Sequence, residues 1–129
     1  MIKVLIAEDN VDNAELLTEF LDDEGYAVSV ASNAADTIRI ATEQLPDVIL
    51  MDMQMPRDAT AQIADNEQGL LAISAIRNAA STRKIPIVAV TGFDSESFKQ
   101  TAIDAGCYTV AKKPYDFDAL LNVIQEVTE

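Results

Sequence analysis

The sequence has no histidine and no tryptophan, and only one cysteine among its 129 residues. Without histidine the chain cannot supply a Ser-His-Asp or Cys-His triad, a histidine general base or a histidine ligand for zinc. The single cysteine, Cys107, cannot form an internal disulfide, which is typical of a protein in a reducing cytoplasm. These absences exclude several large enzyme classes and the disulfide-stabilised secreted domains.

Positive charge is also scarce, because 9 Lys and Arg stand against 22 Asp and Glu and give a net charge of −13. Nucleic acids and anionic membrane surfaces are both bound through clustered Lys and Arg, so neither partner is expected. The apolar run at residues 4–7 is interrupted at Glu8, far short of the roughly 20 residues of a membrane helix. We expect a cytoplasmic domain, and hydrophobic residues at 49% of the chain are sufficient for a packed core.

Short β-type runs alternate with amphipathic stretches along the chain. The β-type runs lie at residues 2–7, 26–31, 47–51, 85–90 and 108–111. Apolar residues at helical spacing follow each of these runs. The first predicted helix has Asp12 as its N-cap and ends at Gly25, and the others lie at residues 34–43, 69–80, 95–105 and 116–127. Because a helix follows every strand, we expect right-handed crossovers onto a parallel sheet.

This pattern predicts an α/β fold with a doubly wound, five-stranded parallel sheet. The flavodoxin-like strand order 2-1-3-4-5 is the natural candidate, whereas an eight-stranded barrel would need a longer chain. The length favours a single domain over residues 1–129. A polar, alanine-rich segment at residues 57–68 separates the third strand from the third helix.

Polar residues come at the point where each of four predicted strands ends. They are Glu8 and Asp9 after the first strand, Asp52 after the third, Thr91 after the fourth, and Lys112 and Lys113 after the fifth. Ligands of open α/β sheets bind beyond the carboxyl ends of the strands, and neighbouring strands lie about 4.8 Å apart. We therefore expect these side chains to converge on one rim of the sheet. Each residue alone would be read as a helix cap, a turn or a surface charge, but four strand ends together favour a site.

Three carboxylates on one rim need a cation or a proton. At separations of about 5 Å and an effective dielectric constant of about 20, each pair repels by roughly 3 kcal/mol, more than one lysine offsets. Either some carboxyls stay protonated or a divalent cation binds, and an all-oxygen shell suits Mg²⁺ or Mn²⁺. A cation beside a lysine and a hydroxyl would stabilise phosphoryl oxygens, and a carboxylate there can act as nucleophile to give an aspartyl phosphate.

Four sequence blocks occur in order at the predicted strand ends. They are VLIAEDN at residues 4–10, DVILMDMQMP at 47–56, IPIVAVTG at 85–92 and KPY at 113–115. With these blocks the chain resembles the response-regulator receiver domain of two-component signalling, the CheY-like superfamily, over essentially its whole length. The resemblance adds specific roles to the residues of the rim.

The resemblance implies a site for a divalent cation. Asp9 and Asp52 would ligate Mg²⁺ directly, together with the backbone carbonyl of Gln54. Glu8 would hold a metal-bound water, and Mn²⁺ suits the same ligands.

It also implies phosphorylation. Asp52 would attack the phosphohistidine of a sensor histidine kinase or a histidine phosphotransfer protein. Thr91 would hydrogen-bond the phosphoryl group, and Lys113, with a cis peptide bond after it, would pair with that group. The backbone N–H groups of Met53 and Gly92 would complete the cradle. Output would pass by contact to a downstream protein target, since no output domain follows, unless the chain is a domain of a longer protein such as a hybrid kinase.

The chain departs from the family pattern in two places. The glycine that usually follows Met-Pro closely corresponds here to Gly69, so residues 57–68 are an insertion, expected to be a solvated loop or helix turn, in which Asp58 could lie near the metal. In the fifth strand, Val110 replaces the usual aromatic, so an aromatic that swings inward cannot be the output. Tyr108 is expected at an exposed edge or interface, and Cys107 as a small buried residue.

Two other functions stay open. A small Mg²⁺-dependent phosphohydrolase with an aspartyl phosphate would need a general acid/base where Gln54 stands. A phosphorylation-independent, receiver-like interaction module would keep the fold alone, and Val110 and the insertion leave room for it. The favoured reading is not an enzyme but a phosphoacceptor that assists its own phosphorylation and dephosphorylation. Bulky Phe93 would shield the phosphoryl group from water and predicts a long-lived phosphorylated form.

Overall fold

A computed structural model of the protein describes residues 1–61, 64–92 and 96–129. In chain order its elements are β1 (Lys3–Ala7), α1 (Val11–Asp23), β2 (Ala27–Ala31), α2 (Ala34–Gln44), β3 (Val48–Asp52), β4 (Met55–Pro56), β5 (Ala64–Asp65), α3 (Asn66–Asn78), β6 (Ile87–Thr91), α4 (Glu96–Ala105), β7 (Thr109–Lys112) and α5 (Phe117–Thr128). The predicted segments are found with shifted ends: Asp52 and Thr91 close β3 and β6 instead of following them. The predicted start of the fourth helix, Ser95, lies outside the described residues.

The main sheet contains five strands in the order β2-β1-β3-β6-β7, and every neighbouring pair is parallel. Counted within this sheet the order is 2-1-3-4-5, so the predicted doubly wound, flavodoxin-like α/β fold is confirmed. The chain runs from β1 outward to β2 and then crosses back to β3 on the other side of β1. This reversal opens a crevice at the carboxyl ends of β1 and β3, where ligands of such sheets bind.

Alternate residues of the strands face two separate hydrophobic clusters. In β1, β3 and β6, odd-numbered residues such as Leu5 and Ile49 pack with buried residues of α2, α3 and α4. Even-numbered residues of these strands, such as Val4 and Leu50, pack with those of α1 and α5. Because both faces of β3 and β6 are covered, these strands are apolar up to their last residue, and a polar side chain appears only at the rim.

Residues 57–68 include one strand of a short hairpin and the first residues of the third helix. The short strands β4 and β5 pair antiparallel, with Met55 opposite Asp65, and α3 already begins at Asn66. Met55 is fully buried and anchors β4 to the cluster under α2 and α3. The carbonyl of Arg57 accepts a hydrogen bond from the N–H of Ala35 at the start of α2 (2.9 Å). Residues 62 and 63 of the predicted insertion lie outside the described residues.

Gly69 allows α3 to approach the loop after β3. A Cβ atom at this position would lie 2.6 Å from the carbonyl oxygen of Met53 and 2.8 Å from its Cα. A side chain there would therefore push the helix away from the segment that carries Asp52. This close approach gives the physical reason for a glycine at the position matched to the glycine of the family pattern.

The N-terminus of α1 differs from the sequence-based prediction. Its N-cap is Asn10, whose side chain accepts the N–H of Asn13 at 2.9 Å, and the predicted cap Asp12 lies in the first turn. Asn10 has the extended backbone of a cap residue, so the first helical residue, Val11, lies two positions after Asp9. Gly25 follows α1 with a φ of +90°, in agreement with the predicted stop. Within the described residues, every helix is too short or too polar to cross a membrane.

Candidate functional site

Three carboxylates meet at the crevice between β1 and β3. Glu8 and Asp9 follow β1, Asp52 ends β3, and one ligand oxygen from each lies within 4.8 Å of the others. Glu8 is 2% exposed and Asp52 is 5% exposed, whereas Asp9 is open to solvent. The fold therefore brings together the three acidic residues that the strand ends predicted, at separations that require a cation or a proton between them.

Lys113 bridges the two buried carboxylates. Its Nζ lies 3.1 Å from Oε1 of Glu8 and 3.0 Å from Oδ2 of Asp52. The lysine is positioned by its own backbone, because its N–H donates to the carbonyl of Thr91 (2.8 Å) and ties the end of β7 to the end of β6. The Lys113-Pro114 peptide bond is cis, as the resemblance implied. The preceding residue, Lys112, is exposed on the edge strand.

Burial, mutual repulsion and hydrogen bonds give the three carboxylates different pKa values. Burial, together with the neighbouring Glu8, raises the pKa of Asp52 to about 7 against the opposing effect of Lys113. Burial would also raise the pKa of Glu8, but hydrogen bonds with Asp52, Tyr115 and Lys113 outweigh it and lower the pKa to about 2. Partial burial and the charge of Glu8 raise the pKa of Asp9. Without a cation, the proton of the buried pair therefore resides on Asp52 below about pH 7, and only part of the population keeps it near neutrality.

The loop after β3 supplies a backbone donor to Asp52. The N–H of Gln54 donates to Oδ1 of Asp52 at 3.0 Å. The N–H of Met53, expected in the phosphoryl cradle, donates instead to the carbonyl of Val90 at 3.0 Å and so extends the pairing of β3 with β6. The sequence could not distinguish these adjacent N–H groups, because their directions depend on where the sheet pairing ends.

Thr91 closes β6 beside Asp52. It is 3% exposed, and the residue before it, Val90, is the register partner of Asp52 in the sheet. Gly92 is exposed, and a Cβ atom there would meet nothing within 4 Å. Phe93, on which the predicted long lifetime of the phosphorylated form rests, lies outside the described residues.

Tyr115 is a member of the site for which the sequence analysis predicted no role. Its hydroxyl donates to Oε1 of Glu8 at 2.6 Å, and burial and the charge of Glu8 raise its pKa. The only signal in the sequence is its place two residues after Lys113. An aromatic residue at this position indicates packing. The sequence does not indicate which acceptor its hydroxyl group binds, because that acceptor, Glu8, is 107 positions away.

The residues that depart from the family pattern lie outside the carboxylate cluster. Tyr108 is 49% exposed just before β7, and its hydroxyl donates to Glu126 of α5, which agrees with an exposed edge aromatic. Cys107 is 6% exposed, and burial raises the pKa of its thiol. Asp58, considered above as a residue near the metal, accepts the N–H groups of Thr60 and Ala61 within its own loop (both 3.0 Å).

A carboxylate cluster bridged by a lysine, at the carboxyl end of a doubly wound parallel sheet, is the arrangement expected of the signalling domains that the sequence resembles. The chain belongs to the response regulator receiver domain family, which matches residues 4–125. It is therefore a receiver domain of two-component signalling.

Similar proteins match the chain over nearly its full length. Protein PilH of Pseudomonas aeruginosa is 32% identical over 127 residues, 98% of this chain and 98% of PilH. The receiver domain of sensor histidine kinase PA1611 of P. aeruginosa PAO1 has a TM-score of 0.83 at 26% identity, covers 98% and 97% of the two chains, and has a magnesium ion coordinated in its active site cleft. Chemotaxis protein CheY4 of Vibrio cholerae has a TM-score of 0.84 at 27% identity and covers 98% of each chain.

Proposed function

We propose that this protein is a phosphoacceptor switch in which Asp52 receives a phosphoryl group from a phosphohistidine. The donor would be a sensor histidine kinase or a histidine phosphotransfer protein, because the chain has no histidine of its own. The observation that carries the proposal is the contact of Asp52 with Lys113 at 3.0 Å inside a cluster of three carboxylates. The contact supports a site in which Asp52 would act as nucleophile, Lys113 as cationic partner of the phosphoryl group and the carboxylates as ligands of a divalent cation.

The residues of the cluster fit Mg²⁺. Three carboxylates with oxygens within 4.8 Å of one another form the all-oxygen donor set that Mg²⁺ and Mn²⁺ prefer. Asp9 and Asp52 would hold the cation directly together with the carbonyl of Gln54, and Glu8 would act through a water molecule. When bound, the cation supplies positive charge that favours ionised carboxylates and stabilises phosphoryl oxygens.

The transfer itself requires an ionised Asp52. One of its carboxylate oxygens attacks phosphorus, the bond between phosphorus and the imidazole nitrogen breaks, and the imidazole leaves with the electron pair. Because the pKa of Asp52 is about 7 without a cation, part of the population is protonated and unreactive near neutrality. Lys113, already 3.0 Å from the attacking side chain of Asp52, then pairs with the new phosphoryl group.

Phosphorylation would be transmitted through the ends of β6 and β7. The new dianion attracts the hydroxyl of Thr91 and the ammonium of Lys113, and these two residues are already joined by a backbone hydrogen bond of 2.8 Å. Their displacement would bias the surface formed by α4, β7 and α5 between two arrangements, which a downstream protein target reads. Val110 of β7 is an aliphatic residue, so this output does not use an aromatic at that position.

Labelling with a small phosphodonor tests the proposal. Wild-type protein incubated with acetyl phosphate and Mg²⁺ should gain one phosphoryl group by intact mass spectrometry, and chelation of the cation should abolish the gain. Asp52→Asn should stay unlabelled, whereas Asp104→Asn on the exposed face of α4 should label as the wild type does. Equal labelling of Asp52→Asn would refute the assignment of the acceptor, and labelling that persists in chelator would refute the role of the cation.

A further inference from the structure

We infer that Tyr115 is a positioning residue of the cation site, which holds the carboxylate of Glu8 in place through its hydroxyl group. This inference rests on the proposed Mg²⁺-dependent phosphorylation. The hydroxyl lies 2.6 Å from Oε1 of Glu8. Lys113 contacts the same oxygen at the longer distance of 3.1 Å.

Glu8 depends on protein donors for its orientation. At 2% exposure its carboxylate is almost out of reach of bulk water, so hydrogen bonds from neighbouring groups must compensate for its burial. Its second oxygen, Oε2, accepts the backbone N–H of Asn10 at a long 3.3 Å. The phenol of Tyr115 therefore makes a shorter contact with this side chain than either Lys113 or the N–H of Asn10 does.

Tyr115 also differs from Lys113 in what phosphorylation does to it. Lys113 is shared between Glu8 and Asp52, and in the proposed switch it turns to the phosphoryl group and leaves Glu8. The contact of Tyr115 is with Glu8 and does not involve Asp52. It can therefore keep Glu8 oriented both before and after transfer, whereas Lys113 cannot.

The ring of Tyr115 is held independently of its hydroxyl. It packs on the hydrophobic cluster under α1 and α5, with its centroid 6.2 Å from the ring of Phe117, which in turn lies 4.8 Å from the ring of Phe20. Lys113 Nζ lies 5.8 Å from the ring centroid of Tyr115. A phenylalanine at position 115 would preserve these contacts and remove only the hydrogen bond to Glu8.

Removal of the hydroxyl should weaken cation binding. Residues that orient a metal ligand typically contribute roughly 10- to 100-fold to metal affinity, and we expect Tyr115→Phe to fall near the lower limit, roughly 10-fold. The Mg²⁺ concentration that gives half-maximal phosphorylation should rise in parallel. The rate at saturating Mg²⁺ should fall much less, because Tyr115 does not contact the attacking carboxylate.

Isothermal titration of the unphosphorylated protein with Mg²⁺ measures this effect without phosphorylation. The matched control is Tyr108→Phe, which removes a phenol that bonds a surface glutamate, Glu126, and should bind Mg²⁺ as the wild type does. In a Glu8→Gln background, Tyr115→Phe should cause little further loss, since it acts through Glu8. Wild-type affinity in Tyr115→Phe, or an equal loss with and without Glu8, would overturn the inference. Failure of the wild type itself to bind Mg²⁺ would instead overturn the proposed function.

A second measurement keeps Tyr115 in place. The chain has three tyrosines and no tryptophan, so the double variant Tyr26→Phe/Tyr108→Phe makes Tyr115 the sole source of tyrosine fluorescence. We expect its emission to change with Mg²⁺ at the same half-saturation that calorimetry gives, because the cation alters the carboxylate to which the phenol donates. An emission that does not respond over the whole titration would contradict the inference, even if Tyr115→Phe failed to fold.

Discussion

Asp52 is a buried carboxyl group beside a second carboxylate, and this setting makes the stability of the cation-free protein depend on pH. Its pKa of about 7 in the folded protein lies above the ordinary value near 3.9 of an unfolded chain. The folded state therefore retains a proton that the unfolded state releases, so this contribution to stability is present at acid pH. It is lost as the pH rises through about 7.

Asp52→Asn should remove this pH dependence. In chelator, we expect the free energy of unfolding of the variant, relative to that of the wild type, to rise by about 2 kcal/mol from pH 5 to pH 8. The reason is that the amide carries no charge beside Glu8, whereas Asp52 becomes ionised over this range. Its side-chain oxygen can still accept the N–H of Gln54. Urea unfolding at a series of pH values measures the difference. A stability gain that is the same at pH 5 and pH 8 would show that repulsion between these carboxylates is not the cause.

Helix α3 is positioned against the loop after β3 by the absence of a side chain at Gly69. In an exposed helix, Gly→Ala is stabilising by roughly 1 kcal/mol. Here the added carbon would lie 2.6 Å from the backbone of Met53, a contact that only a shift of the helix or loop relieves. Overpacking of this kind typically costs about 1–3 kcal/mol, so steric conflict outweighs helix propensity.

Gly69→Ala should therefore destabilise the protein, by about 1 kcal/mol net. The shift should also weaken Mg²⁺ binding, because Met53 lies between Asp52 and Gln54, the two proposed ligands of the cation in this segment. Gly92→Ala is the matched control, since a Cβ there meets nothing within 4 Å, and it should leave the unfolding free energy unchanged. Chemical denaturation of both variants checks the prediction, which a stabilised Gly69→Ala protein would contradict.

The whole molecule carries a net charge of −13, and cations can stabilise it in two ways. Monovalent salt screens the general self-repulsion. A divalent cation bound at Glu8, Asp9 and Asp52, as proposed, would add a specific term, because a ligand that binds only the folded state stabilises it by about 2.7 kcal/mol at 100 times its Kd. Only the stabilisation by a bound divalent cation depends on the carboxylate cluster.

Thermal unfolding at matched ionic strength separates these effects. The Tm in MgCl₂ should exceed the Tm in NaCl for the wild type, and Asp9→Asn should reduce this excess while it leaves the response to NaCl unchanged. Asp9 is suited to this test because it is exposed, so its substitution perturbs the core little. Equal melting temperatures in the two salts would indicate screening alone.

The order and type of the elements were predictable from local features. Each strand of the main sheet is a short apolar run, and each helix has a buried stripe that the spacing of its apolar residues reveals. Polar residues at the strand ends predicted the acidic cluster, since parallel strands bring their carboxyl ends to one edge. Two local decisions were not predictable: Asn10 and Asp12 are both good caps, and residues 57–68 have no strong strand pattern. The path of the chain out of β1 determines that Asn10 is the cap of α1. The burial of Met55 fixes β4, with which residues 64–65 pair.

Residue type and periodicity along the chain were thus sufficient for the fold class, for the strand order and for the prediction that Glu8, Asp9 and Asp52 lie together, whereas the family resemblance singled out Lys113 rather than Lys112. These properties follow from patterns of two to four residues and from general rules of sheet topology. The partners of each side chain followed from packing: Lys113 lies between Glu8 and Asp52, and Tyr115 donates to a carboxylate 107 positions away. Hydrogen bonds need donors and acceptors placed to within a few tenths of an ångström, and no spacing in a sequence specifies that distance across a sheet.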